Sequence, residues 1–199
     1  MLSDNIWWTR QARIRTERRL LSNAFHSQII LLWYSFYSVA VSIFYLGDAQ
    51  GAVSSKSWLI YSVLVLVVSV YINGFSYKER AALIKENYER LKTLIAFSKE
   101  IENKNGDVTN VAKMYERILN ACENHRQEDY LEALYEIYES TEDKSQISPK
   151  PTEYQRKQAK RNRKFRKLTL GVFYILPIVI SLILNVEMLD YQILLVLLK

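Results

Sequence analysis

The 199-residue chain holds one cysteine, two histidines, three prolines and five glycines, and each shortage removes a class of protein. With Cys122 alone no intrachain disulfide can form, and an inert or buried thiol is the plain expectation. His26 and His125 lie far apart, and with a single cysteine in the chain they do not make up the ligand set of a zinc site or a nucleophile with its base. The glycines form no Walker-type phosphate loop and no dinucleotide fingerprint. No catalytic residue, cofactor or metal ligand is expected, and the chain does not read as an enzyme. Scarce proline and glycine suit a chain that is mostly helix.

Charge is absent where it matters most. Ile29 to Leu46, Trp58 to Phe75 and Leu168 to Val186 contain no Asp, Glu, Lys, Arg or His. At about 1.5 Å of helix rise per residue each run covers roughly 27 Å, close to the thickness of a bilayer's hydrocarbon core. A cleaved signal peptide has a shorter apolar run behind a shorter leader, so the first run is expected to be retained. Tyr191 to Leu198 is too short to cross by itself and either lies at the interface or extends the third helix. The fold class is an all-α membrane protein with three transmembrane helices and a cytoplasmic helical bundle. The 49% hydrophobic content with a mean hydropathy of only −0.11 fits spans diluted by polar helices.

Lys and Arg near span ends mark the cytoplasmic side. Arg10, Arg13, Arg15, Arg18 and Arg19 precede the first run, whereas the connection from Gly47 to Ser57 carries Lys56 against Asp48. A second basic run, from Arg156 to Lys167, precedes the third span. The N-terminus and the middle region are therefore expected on the cytoplasmic side of a membrane crossed several times. Orientation and anionic lipid account for most of the +6 charge, with Arg13, Arg18, Arg19, Arg161 and Lys164 as candidate lipid or partner contacts. Beyond Phe165 the basic run has no interleaved aromatics, so direct nucleic-acid binding is not expected.

Four segments follow. Residues 1–28 read as a basic amphipathic helix with Trp7, Ile14, Leu21 and Phe25 on one stripe, suited either to the membrane surface or to packing on the cytoplasmic helices. Residues 29–75 are a two-span hairpin. Residues 76–151 form the cytoplasmic helical region, where Ile84, Tyr88, Leu91 and Ile95 continue the second span's helix as a stalk. A turn is expected at Asn103 to Asp107, then helices marked by Val111, Tyr115, Ile118 and Cys122 and by Leu131, Leu134 and Tyr138, joined through Asn124 to Gln127. Thr141 to Pro151 reads as a flexible connection. Residues 152–199 are a basic helix, the third span and an apolar tail.

Within the spans, Ser35, Ser38, Ser42 and Tyr45 share one helix face, Ser62, Ser69, Asn73 and Ser76 another, and Pro177, Ser181 and Asn185 a third. Such stripes either pack helices by close approach or, multiplied around a ring of subunits, line a water-filled path. For the second role the candidates are Ser35, Ser38, Ser42, Ser69 and Asn73. Three spans cannot enclose a wide lumen, so conduction requires a homo-oligomer. A carrier would want an intramembrane ionisable group that the runs lack. Glu128 to Asp143 is acidic and Arg156 to Lys167 basic, and these charges can pair within a subunit, pair between subunits or stay solvated.

The run Arg13, Glu17, Arg18, Arg19, Leu20 ahead of a span bearing Tyr34, Ser35 and Ser38 resembles the SLATT family of bacterial membrane effectors, as does the stretch with Tyr115, Leu119, Asn124, His125, Asp129 and Tyr130. The likeness runs from about Trp7 to Val186. It implies a pore-forming or depolarising effector of antiviral defence and abortive infection, working with a nucleotide-generating sensor or a reverse transcriptase. The third span looks like the reverse-transcriptase-associated variant. The alternative is a membrane-anchored scaffold that recruits a soluble or RNA-containing partner.

Overall fold

A computed structural model describes residues 1–44 and 52–197, with side chains for 1–43, 58–180 and 182. The elements are α1 (Leu2–Phe44), α2 (Ala52–Asn73), α3 (Tyr77–Asn103), α4 (Thr109–Leu119), α5 (Gln127–Ser140), a 3-10 turn at Lys144–Gln146, and α6 (Glu153–Leu197). No strand occurs among the described residues. The chain divides into two compact units: Met1–Ala24 with Ser76–Phe165, and Phe25–Phe75 with Arg166–Lys199.

The first unit is built around the beginning of α1, which contains neither glycine nor proline to interrupt it. Ile6 packs with Leu91, Leu94 and Val111; Leu20 with Ala81, Ile84 and Tyr88; and Trp8 with Leu134 and Ile147. One helix therefore supplies a side chain to each of three apolar clusters. Of the two roles open to the N-terminal helix, packing on the helices that follow α2 is the one adopted. Its buried face, however, is not the expected stripe. Ser3, Ile6, Arg13, Thr16 and Leu20 are buried, whereas Leu21 and Phe25 are exposed. Hydrophobic spacing misses this face because an arginine, a threonine and a serine sit on it.

The expected stalk is broken. α2 closes at Asn73, the Phe75 N–H turns to the Ile72 carbonyl, and α3 begins only after Ser76, which takes left-handed angles (φ 46°, ψ 42°). Gly74, a poor helix former, stands at the break. From there α3 follows its predicted pattern, burying Ala81, Ile84, Tyr88, Leu91 and Leu94. The turn after Asn103 forms as expected: Asn105 is left-handed, and the Gly106 N–H bonds the Ile101 carbonyl at 2.9 Å. A Cβ on Gly106 would come 3.1 Å from the Ile101 side chain, closer than ordinary contact.

α4 stops at Leu119, short of Cys122, so the link to α5 is longer than predicted. Thr141 to Pro151 is no loose connection either. The Asp143 side chain accepts from the Ser145 N–H, Lys144 bonds the carbonyls of Tyr138 and Thr141, and the Trp8 indole donates to the Ser148 carbonyl at 2.8 Å. α6 then opens on a reciprocal cap, with the Gln155 N–H donating to Thr152 Oγ1 and the Thr152 N–H to Gln155 Oε1.

In the second unit, two helices long and apolar enough to cross a membrane lie within Leu2–Ile43 and Trp58–Asn103, and 11% and 6% of their most apolar windows are buried inside the protein. Leu32, Phe36, Val39, Ile43, Leu59, Val63, Leu66 and Val70 are exposed. A core helix of a soluble domain would bury such side chains, so the membrane is their solvent. Residues 168–186 are helical throughout within α6, whose backbone continues through Tyr191 to Leu197. Tyr45, Asp48, the 45–51 connection and Leu198 lie outside the described residues, as do the side chains of Lys56, Ser181 and Asn185.

Leu91 is wholly buried where α1, α3 and α4 meet. Leu91→Ala is expected to cost about 2–5 kcal/mol through lost burial and a residual cavity. Thermal unfolding of the full chain in detergent checks it, since a surface position would leave the midpoint unmoved.

Candidate functional site

Arg13 is the largest fully buried side chain of the first unit, and its bonds go to neutral acceptors. One Nη donates to the Asn87 side-chain oxygen and to Cys122 Sγ at 3.2 Å. The other donates to the Leu119 carbonyl at 3.2 Å and to Asn124 Oδ1 at 3.4 Å. The Asn87 amide in turn donates to the Ile118 carbonyl at 2.6 Å. These two carbonyls belong to the last turn of α4, where the helix carries unpaired acceptors and partial negative charge. Arg13 and Asn87 therefore cap α4, and the helix end supplies the field that a carboxylate would otherwise give.

The start of α5 is treated in the opposite sense. Asp129, buried in its first turn, accepts from Arg19 Nε at 2.8 Å and Nη2 at 2.9 Å, from Thr16 Oγ1 at 3.0 Å and from the Arg126 N–H at 3.2 Å. The bond to Asp129 raises the Arg19 pKa further above its ordinary value. An anion thus sits at the N-terminus of α5 and a cation at the C-terminus of α4, both held by α1. Thr9 meets the Tyr115 hydroxyl at 2.6 Å on the same helix. Arg13 to Leu20 and Tyr115 to Tyr130, distant in sequence, are two sides of one buried polar seam.

Arg13 and Arg19 are accordingly not lipid contacts. Arg13 has no exposed surface, and Arg19 is spent on Asp129. Arg18 is mostly exposed and approaches Glu136 at 3.6 Å. Arg161 and Lys164 are exposed on α6. The segregated charges meet inside the unit through Arg163, which bonds Glu132 at 2.5 Å and approaches Glu136 at 3.5 Å; Arg15 of α1 also pairs with Glu136. Arg163 and Lys160 lie over the Tyr135 ring at 4.7 and 5.8 Å. Sequence reasoning missed Asn87 and Thr16 because polar residues at apolar spacing carry no signal until their partners are known.

In the second unit the predicted serines separate. Ser38 is buried and meets Ser62 of α2 at 2.6 Å, oxygen to oxygen, while Ser42 donates back to the Ser38 carbonyl at 2.8 Å. Ser42 and Ser69 are half-buried, and Ser35 and Asn73 are exposed. Around the serine pair stands an aromatic seam that the stripe analysis did not find. Tyr34 stacks on Tyr61 at 6.4 Å, Tyr37 approaches Trp58 at 6.3 Å, and Trp58 is edge-on to Tyr61 at 5.4 Å. Tyr34, Tyr37 and Ser38 facing Trp58, Tyr61, Ser62 and Val65 repeat at three and four residues, a pattern visible in the sequence once aromatics are counted with small residues. Among the described residues no group of three or more His, Cys, Asp or Glu is placed to hold a metal ion.

The family described as SMODS and SLOG-associating 2TM effector domain family 5 matches residues 1–189. No curated protein and no solved structure matches the chain.

Two outcomes are expected. Asp129→Asn leaves Arg19 without its anion and should cost about 3–5 kcal/mol of stability, read as a lowered melting temperature in detergent. Burial and the nearby Arg13 charge push His125 below its ordinary value of 6.5, against a smaller opposing pull from Asp129. A histidine kept neutral on folding stabilises fully above about pH 6.5 and loses that contribution as pH falls. The chain should therefore melt lower at about pH 5.5 than at 7.5, and His125→Gln should flatten the difference. An unchanged slope in the variant would assign the acid sensitivity elsewhere.

Proposed function

We infer function from a premise that the match supplies: the chain belongs to SMODS and SLOG-associating 2TM effector domain family 5, and is a membrane effector of the kind found in defence systems. We propose that it acts as a homo-oligomer that permeabilises or depolarises a bacterial inner membrane during antiviral defence. It has three spans, the third supplied by α6, and carries the N-terminus and the middle region on the cytoplasmic side. It is not an enzyme. A defence-system sensor or a reverse transcriptase engages the first unit and supplies the signal.

The observation that carries this reading is how the polar groups of the second unit are distributed. α1 and α2 use Ser38, Ser62 and the aromatic seam on each other, and most of what they leave exposed is apolar. One copy therefore has no polar lumen, and a conducting path requires several copies brought together. The exposed Ser35 and Asn73, with the half-buried Ser42 and Ser69, are the polar groups left for that path. Internal pairing of Glu132 and Glu136 favours an effector over a charge-recruiting scaffold, because those carboxylates are already engaged by Arg15 and Arg163.

Induction in bacterial cells together with the cognate trigger should collapse membrane potential, read with a voltage-sensitive dye. Ser35→Leu combined with Asn73→Leu should leave protein amount unchanged and abolish the collapse. Full dye response in that double variant would remove these residues from the path. Preserved potential in the parent, with the trigger present, would defeat the effector mechanism.

A further inference from the structure

Pro177 lies inside α6 and is fully buried. A proline has no N–H, so the carbonyl four residues earlier, that of Phe173, loses its helical partner, and the ring also crowds the turn containing the Tyr174 carbonyl. In apolar surroundings a freed carbonyl is costly unless a neighbouring helix answers it. Two consecutive residues of α1 do so. The Tyr34 hydroxyl donates to the Phe173 carbonyl at 2.7 Å, and the Trp33 indole N–H donates to the Tyr174 carbonyl at 3.1 Å. Earlier on α1, His26 Nδ1 meets the Tyr174 hydroxyl at 3.1 Å. Two side-chain donors thus meet, in register, the two backbone acceptors at the proline.

We propose that Trp33 and Tyr34 form a latch on the proline break of α6, and that this latch holds the effector in its resting, closed state. The latch rests on the reading of α6 as a span of a permeabilising effector. Its physical content is a link between helix separation and water. While the second unit is dry, withdrawing α1 from α6 strands the Phe173 carbonyl and takes the indole donor from the Tyr174 carbonyl beside it, and the latch stays shut. Once water reaches the break it can replace both donors, so unlatching and hydration of the path favour each other. Tyr34 has a second attachment, its stacking on Tyr61 of α2, so displacement at the α1–α2 seam and release of α6 act on the same side chain.

The distinguishing experiment pairs loss of a donor with loss of the need for it. Tyr34→Phe removes the hydroxyl, while Pro177→Ala restores an N–H that can take the Phe173 carbonyl back into the helix. With the full chain in bicelles, unfolding is titrated with SDS. With Pro177 present, Tyr34→Phe should raise the unfolding constant roughly three- to tenfold, the range of interhelical hydrogen bonds in membranes. In the Pro177→Ala background the same substitution should change it less than about twofold, because the two sites are coupled. Trp33→Phe, at a carbonyl that Pro177 does not deprive of its N–H, should lose less than Tyr34→Phe and depend less on the background. In parallel, each chain is reconstituted into liposomes and potassium leak is followed. Tyr34→Phe should leak above the parent when Pro177 is kept, and return to the parent's level when it is combined with Pro177→Ala.

Equal loss of stability in both backgrounds would overturn the latch, and coupled stability with unaltered leak would overturn its hold on the closed state. If no chain passes ions, the parent and a parent exposed to its trigger included, the permeabilising function fails, and the latch is decided by the unfolding cycle alone.

Discussion

A guanidinium removed from water needs compensation close at hand, and the first unit is arranged around how Arg13 obtains it. The carbonyl end of α4 takes the part usually given to a carboxylate, with Asn87 and Asn124 as further acceptors for the two Nη groups. Withdrawing α1 would leave α4 uncapped and Asp129 without Arg19 and Thr16, while opening all three apolar clusters to which α1 contributes. The helices after the second span are therefore not a free-standing domain. They fold on a stretch of sequence that precedes the membrane, so assembly of the first unit requires residues 1–24.

The second unit obeys the same rule under a different solvent. Water cannot satisfy a stray polar group in hydrocarbon, so helices there exchange their few polar groups with one another. Ser38 finds Ser62, the carbonyl released by Pro177 finds Tyr34, and the next carbonyl along finds Trp33. What remains outward on α1 and α2 is largely apolar, as lipid or a further copy of the chain requires. α1 and α6 each contribute to both units.

Much of this was legible in the residues themselves. Charge-free runs of bilayer length mark the membrane helices because lipid penalises any ionised side chain there, independent of tertiary detail. Asn105 and Gly106 announce their turn because backbone angles are a local matter, and Ile84, Tyr88 and Leu91 announce a buried face because apolar spacing is. Other features depended on partners that no local pattern contains. Arg13 and Arg19 look like surface cations beside a membrane until α4 and α5 bring up a helix end and Asp129. Thr141 to Pro151 looks loose until Trp8 and Lys144 reach it.

By itself, then, the sequence determined the helical class, two candidate membrane spans and the family, since hydrophobic length and helical period are properties of the chain alone. Tertiary structure decided which of two faces of α1 is buried, where the helix after the second span breaks, and which serines and aromatics pair. Burial of a polar side chain is favourable only when specific donors and acceptors arrive from far along the chain, and their arrival is a fact of packing.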